Sequence, residues 1–416
     1  MPVDLSPFAG RMDAPRPPRF PVWAVLFVVI EAAGIALTLY LWPQGEPTGT
    51  AWFWCCVGAF PLLTWCLLFG LRLHAYDEQC QEYRVLQELR DQDRQQAIQF
   101  ASEPLAVIGV GYLSALGSFN GAAKFLRKEP ALAATVPRLG GAAVRHTSIV
   151  LPADHETMVL RYRSCFMELL GLCAYAIQSV PASTPLSVLL DVPSDGDQEQ
   201  TEFLDVWRTC WSECGFRPTA VQLCPIGQGL MPLDAWLDHR GGSELERYVL
   251  FVSAQLHQQP PLDSAEAGVA LLLAWAPLAA RQGIEAQAML HRPVETQLGE
   301  VEIGLGRALT WGKAVAAEVA DMWQTGLLAT DKPEILQAAG AHGLAAVSQR
   351  GFAGVHDLDV VLGHAGCSAG LLSVALAIDQ AKSSKIPQLI ALRDAALQFV
   401  VVQPMANTNQ DMEVGV

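Results

Sequence analysis

The stretch that decides the fold is Pro104–Gly117, PLAVIGVGYLSALG. An unbroken apolar run from Leu105 to Leu113 is closed by a small-residue turn ending at Gly117. Short apolar runs bounded by turn residues read as strands buried on both faces, and such strands lie in sheets covered by helices. Gly109-Val110-Gly111 lacks the third glycine of a dinucleotide fingerprint and is read as tight strand-helix packing instead.

Downstream of this strand the two periodicities alternate. Leu186–Asp191, Ala220–Leu223, Tyr248–Ala254, Gly268–Trp275 and Val360–Leu362 read as strands. His155–Ser179, Glu199–Cys214, Pro232–His239, Arg307–Met322 and Ala365–Ala381 read as helices. Alternation of this kind predicts an α/β body of layered helices and mostly parallel strands, spanning residues 104–404. The polar Ser194–Gln200 is expected to be a loop within it, and residues 405–416 a frayed tail.

Upstream the texture is different. Pro21–Trp42 and Ala51–Leu71 are 22 and 21 residues of apolar sequence, with Glu31 the single charge. About 20 such residues span a bilayer. Trp23, Trp42, Trp52 and Trp54 sit near their ends, as interfacial aromatics do. The loop Pro43–Thr50 holds no Lys or Arg, whereas Arg11, Arg16 and Arg19 precede the first span and Arg72, Arg84 and Arg90 follow the second. This asymmetry places residues 1–20 and the large body in the cytoplasm, on a two-span membrane hairpin over residues 21–71. Glu31 is read as a protonated or helix-paired acid of the anchor, the alternative being a functional intramembrane group. The Gly- and Pro-free, charged segment 75–103 predicts a helical stalk.

Composition narrows the function classes. Apolar residues make up 51% and charged ones 17%, which excludes a disordered chain. With 27 basic and 42 acidic residues the net charge is −15, which argues against direct nucleic-acid binding and for a basic protein partner. The ten cysteines have no regular spacing and read as reduced thiols. Cys210-x-x-x-Cys214 has no second ligand pair, and His342 and His356 read as loop residues without acidic partners, so neither a metal site nor a cofactor is expected.

Four stretches in order resemble the β-ketoacyl synthases, the condensing enzymes of the thiolase-like superfamily. They are Pro104–Gly117; Ala220–Ala254, with Cys224 at the nucleophile position; EAGVALLLA, Glu266–Ala274; and LDVVLGHAGCSAGLLSVALAI, Leu358–Ile378. The resemblance implies a duplicated fold with five alternating α and β layers (αβαβα), preceded here by the transmembrane helical hairpin, and usually a homodimer. It also implies a thiolate at the N-terminus of a helix, two catalytic histidines and a supporting lysine.

This sequence departs from that chemistry. Cys224 is followed by Pro225, which has no N–H to offer an oxyanion. The segment WQTGLLATDKPE, Trp323–Glu334, matches the first histidine motif at Thr325, Gly326, Asp331 and Glu334, but Trp323 stands in the histidine position. An indole exchanges no proton at neutral pH. The lysine position holds Asp359, whereas His364 matches the second histidine. The expectation is therefore a pseudo-enzyme whose degenerate positions are Cys224, Trp323, Asp359 and His364, with His364 structural. The overall layout resembles membrane-anchored immunity proteins of the bacterial type VI secretion system. The partner implied is a toxin effector, blocked sterically, with Ala75–Ala101 and Ser194–Gln200 as candidate contact regions. The alternatives are an effector-loading adaptor of the same system, a structural membrane subunit, or a membrane-bound acyltransferase using Cys224 and His364.

Overall fold

The computed structural model describes residues 3, 10, 12–127, 132–138, 140–152, 157–193, 197–225, 227–239 and 242–405. The chain divides into a helical unit, residues 4–97, and a body formed by residues 1–3 and 98–416.

In the helical unit, α1 (Phe20–Leu41) starts with Pro21 in its first turn and stops before Pro43. The next helix is capped by the Thr50 side chain, which accepts the Phe53 N–H at 3.3 Å. It runs as α2 (Ala51–Trp54), a π-helical turn at Cys55–Ala59, and α3 (Phe60–Ala101). The two helices pack as a hairpin. Trp65 Nε1 donates to the Trp23 carbonyl at 3.0 Å, and the Phe27 and Trp65 rings meet edge to face at 5.3 Å. Gly34 makes this approach possible, since a Cβ there would lie 2.2 Å from Pro61 Cγ. Phe20–Leu41 and Ala51–Ala101 are both long and apolar enough to cross a membrane. The helical segment expected from residue 75 is present and runs on from the second apolar stretch without a break, since no Gly or Pro interrupts residues 71–101.

The body begins with β1 (Leu105–Leu113), α4 (Gly121–Leu126), β2 (Ala133–Thr135), β3 (Val144–Thr147), α5 (Met158–Ser179), β4 (Leu186–Asp191), α6 (Asp197–Glu213), β5 (Ala220–Leu223), α7 (Met231–Leu237), β6 (Tyr248–Gln255), β7 (Ser264–Ala265) and β8 (Ala267–Trp275). After α8 (Ala276–Arg281) come β9 (Ala288–Leu290), β10 (Val294–Thr296), α9 (Val301–Trp311), β11 (Asp321–Thr325), α10 (Asp331–Ala341), α11 (Ala345–Ser348), β12 (Val355–Asp357), α12 (Leu358–Val361), α13 (Ala369–Ser384), β13 (Gln388–Arg393) and β14 (Leu397–Pro404).

The strand order exposes a duplication. Outward from the middle, one half reads β1-β8-β6-β4-β5 and the other β9-β14-β13-β11-β12. In each half the outer three strands are parallel and the long returning strand, β8 or β14, is antiparallel to its neighbours. The halves join where β1 pairs with β9, Leu105 opposite Leu290. The sheet is therefore mixed, not mostly parallel as the alternation predicted: each βαβαβ run ends in a β-hairpin-like return, which reverses direction.

Alternate residues of each strand face different layers. Val107, Phe251 and Leu271 from the first half and Ile390, Val400 and Val402 from the second share one core with α4, α7 and α13. Ala106, Ile108, Leu250 and Leu272 face α5 and α6. Met322, Leu389, Ala391 and Val401 face α9 and α10. This is the expected five-layer arrangement. Helix α13 is buried all round, with every residue from Ala369 to Ile378 inside, as a helix between the two halves of the sheet must be. On β1, a Cβ at Gly109 would sit 2.5 Å from Ala176, so its glycines serve the close seat of α5, as read from the sequence.

Several expected elements differ. Val360–Leu362 is not a strand; Asp357 caps a helical turn there, accepting the Val360 N–H. The helix expected over Arg307–Met322 stops at Trp311, and Met322 lies in β11. Strands β2, β3, β7 and β9 to β14 have no counterpart among the runs read from the sequence, seven of them being only two to five residues long. Residues 194–196 of the expected polar loop and the tail from 406 lie outside the described residues, and α6 already begins at Asp197.

Candidate functional site

Four strands, two from each half, end at the seam: Asp191 closes β4, Gln255 β6, Thr325 β11 and Arg393 β13. Carboxyl ends of parallel strands at a change of strand order are where open α/β sheets hold ligands. Here they line a cavity of about 320 Å3, together with Pro193, Pro225, Gly229, His364, Cys367, Leu392 and Asp394. A small second cavity of about 20 Å3 shares Asp191, Gly229, Cys367 and Gly370 with it and is lined by Cys224. The structure thus brings Cys224 and His364 to adjoining cavities.

Cys224 does not stand at a helix N-terminus. It follows β5 directly, and α7 begins only at Met231. Its own N–H donates to the Leu190 carbonyl at 2.8 Å. Downstream, the Gly229 N–H donates to Asp394 Oδ2 at 2.8 Å and the Leu230 N–H to Gln398 Oε1 at 2.9 Å. These amides are therefore committed and are not available to an oxyanion. Burial, with Asp191 and Asp394 adding to it, pushes the Cys224 thiol up to about 12. A reactive thiol needs the opposite environment.

Trp323 is buried on β11 and its Nε1 donates to Gln388 Oε1 at 3.0 Å. It packs against Phe125 and His356 in the central layer and does not line the cavity. His356 is not the unpartnered loop residue expected; it sits on β12 with Nε2 2.7 Å from Asp321 Oδ1. Asp321 precedes it by 35 residues in sequence, and only the parallel β11–β12 pairing brings the two together. His342 caps α10, with Nε2 2.9 Å from the Glu302 carbonyl.

Asp359 accepts from Thr325 Oγ1 at 2.8 Å and from the Gly326 N–H at 2.7 Å, and lies 3.6 Å from His364 Nδ1. Burial pushes the Asp359 carboxyl up, but His364 and these donors outweigh it and hold it below its ordinary value. In return Asp359 raises the imidazole of His364 against the effect of burial. Asp359 thus holds the Gly326 turn and the His364 ring. Gly326, at φ +69°, admits no side chain, since a Cβ would lie 2.2 Å from the Arg393 carbonyl. Asp331 anchors the same turn by accepting the Leu328 N–H at 2.9 Å, while Glu334 holds a different turn, before α9. Asp331 is fully buried against Arg393 Nε and Nη2, and Glu334 accepts the Gly299 N–H at 2.6 Å.

Reasoning from the sequence missed Asp191, Gln255, Cys367 and Asp394. Asp191 was legible as an acid ending an apolar strand, LSVLLD; the turn carrying Asp394 was not. All ten cysteines are free thiols, and among the described residues no group of three His, Cys, Asp or Glu is placed to hold a metal.

Comparison with solved structures decides the fold. The ketosynthase from module 6 of the bacillaene synthase of Bacillus subtilis superposes with a TM-score of 0.54 at 9% identity, covering 74% of this chain and 71% of that one. The body has the ketosynthase, thiolase-like fold. A ketosynthase domain of oxazolomycin biosynthesis from Streptomyces albus gives 0.53 at 11% identity, over 74% of this chain and 77% of that one. The ishigamide ketosynthase/chain length factor gives 0.50 at 14%, over 73% and 100%. No protein-family model matches the chain, and no curated protein does. At these identities the likeness speaks to architecture and leaves the chemistry to the residues.

Proposed function

We propose that this ketosynthase-like chain is a non-catalytic, membrane-anchored interaction protein, and that its role is that of an immunity protein which binds a type VI secretion toxin effector and blocks it sterically. The observation that carries the non-catalytic part is the setting of Cys224: a thiol pushed to about 12, beside two carboxylates, on a loop whose neighbouring amides are already bonded. A thiol in such a setting is a poor nucleophile at neutral pH. Trp323, bonded to Gln388 and away from the cavity, supplies no proton there.

The membrane part rests on the two long apolar helices and their flanking arginines. The immunity part rests on layout: a two-helix anchor and an acidic ketosynthase-like body resemble the immunity protein TsiT, which neutralises the nuclease effector TseT. A net charge of −15 suits fast association with a basic nuclease surface. The charged helix Ala75–Ala101 remains the candidate contact region, with the effector-loading adaptor a variant of the same reading. The acyltransferase reading keeps one favourable observation, the adjoining cavities of Cys224 and His364.

The test is protection. Bacteria producing a type VI nuclease effector are co-supplied with the full chain, its Cys224→Ala variant, or a quadruple charge reversal (Glu78, Glu82, Glu88 and Asp91 to Lys). The reading expects the first two to protect and to co-purify with the effector, and the third to fail. Loss of protection by a folded Cys224→Ala variant would sink it.

A further inference from the structure

Beyond its apolar stretch, α3 carries charges that are sorted by face. The helix is regular from Phe60 to Ala101, so successive side chains turn by roughly 100°. Val85, Leu86 and Leu89 form one stripe and are 53%, 51% and 50% exposed. At the same spacing of three or four residues the stripe takes in Glu78 and Glu82 before them and Asp93 after them, all exposed. Glu82 and Asp93 meet no cation and accept no hydrogen bond among the described residues, and Glu78 has His74 3.7 Å away, one turn earlier.

The cations of this segment lie elsewhere. Arg84, Arg90 and Arg94 project about 100° or more from the middle of the stripe, and Asp77 and Asp91 share that far side with them. Tyr76 and Tyr83, also on the far side, are half-buried. The N-terminal segment of the chain runs there too, since a Cβ on Gly10 would lie 3.7 Å from Arg90 Nη2. The far side is thus of mixed charge and partly covered. The stripe is open, apolar at its centre and purely acidic at its ends.

We propose that this stripe is a docking surface for a basic amphipathic helix of a protein partner. Apolar side chains of that helix seat among Val85, Leu86 and Leu89, and its Lys or Arg residues pair with Glu78, Glu82 and Asp93. This rests on reading the chain as an interaction protein and names the partner's chemistry, without requiring the partner to be a toxin. Charge complementarity selects the occupant. A second copy anchored in the same membrane would lay Glu82 against Glu82, and like charges so placed repel. An anionic lipid surface is repelled in the same way. An apolar centre with a charged rim is the anatomy of a specific interface. Glu82, Val85, Leu86 and Leu89 stand at i, i+3, i+4 and i+7, the spacing by which a helix is read along one face.

The experiment uses the full chain in nanodiscs of neutral phosphatidylcholine, with the signal of empty discs subtracted. The probe is a helical peptide of leucine and lysine with its leucines at i, i+3, i+4 and i+7, and a scrambled peptide of the same composition is the control. Affinity is read by fluorescence anisotropy and the site by hydrogen exchange. The patterned peptide is expected to bind roughly tenfold or more tightly than the scrambled one and to slow exchange within residues 78–93. Glu78→Lys with Glu82→Lys should weaken it roughly tenfold or more, and Leu86→Ala with Leu89→Ala, which keeps the helix, roughly fivefold or more. Asp77→Lys with Asp91→Lys makes the same change in net charge and should weaken it less than about threefold. Equal loss in the two charge reversals, slowed exchange outside residues 78–93, or equal binding of the two peptides would each overturn the proposal. So would a crosslinked dimer of the chain that Glu78→Lys with Glu82→Lys abolishes, which would give the stripe to a second copy. Failure of the wild-type chain to protect bacteria from an effector would sink the immunity reading and leave these outcomes unchanged.

Discussion

The two halves of the body share one strand order and differ in how they treat charge and helix at the seam. In the second half α13 is a 16-residue helix buried from Ala369 to Ile378. Each fully buried Leu, Val or Ile there contributes roughly 1.5–3 kcal/mol. Its buried acids are matched: Asp331 by Arg393, and Asp321 by His356 and Gln380. In the first half the equivalent central helix, α7, has seven residues, and the loop before it carries Cys224. Away from the seam this half also matches its charges, since Glu266 is buried against Arg161 and accepts the Ile149 and His257 amides. At the seam Asp191 has no hydrogen-bond donor or counter-charge among the described residues. Uncompensated groups persist where something other than stability retains them.

The largest effect should come from breaking a matched charge. Glu266→Ala strands a buried guanidinium and should cost about 3–5 kcal/mol in denaturant unfolding; a loss under about 1 kcal/mol would mean the first half is held differently. Asp191→Asn should do the reverse. Its folded pKa of about 7 lies above the ordinary value, so the fold prefers it protonated and is penalised as pH rises from about 4 through 7. The variant should therefore gain stability at pH 8, about 2–4 kcal/mol, and nothing at pH 4. A stability loss at pH 8 would show that Asp191 has a partner.

His291, just after β9, sharpens the contrast from the second half. Burial lowers its imidazole to about 4. The unfolded chain protonates it below about 6.5 while the fold resists, so stability is full above that pH and falls toward pH 4. Replacing it in His291→Gln should flatten that acid limb by about 2–3 kcal/mol. The smallest effect is expected of Cys224→Ala, under about 1 kcal/mol at any pH from 5 to 8, because the thiol stays protonated throughout.

Much of the fold was legible because burial writes itself into sequence. Leu186–Asp191 and Ala220–Leu223 match their strands, and the order of four weak motifs predicted the layered duplication. The antiparallel returns were not legible, since an apolar run says that a strand is buried and not which way it runs. Short strands such as Val294–Thr296 carry too few residues for a period. At the site, the motif positions of Cys224, Thr325 and His364 placed those residues beside the seam cavities. The environment that decides their chemistry was hidden: Asp394 meets Gly229 across 165 residues, and Asp359 reaches Thr325 across 34. No local pattern encodes such pairings.

The most direct test of the central claim is acyl loading at Cys224. The full chain in detergent is incubated with acyl-CoA and acyl-carrier-protein donors at pH 7.5 and its intact mass recorded beside Cys224→Ala. The account predicts an unchanged mass for both. A mass increase on the wild-type chain that Cys224→Ala abolishes would contradict it and return the chain to the condensing enzymes as a catalyst.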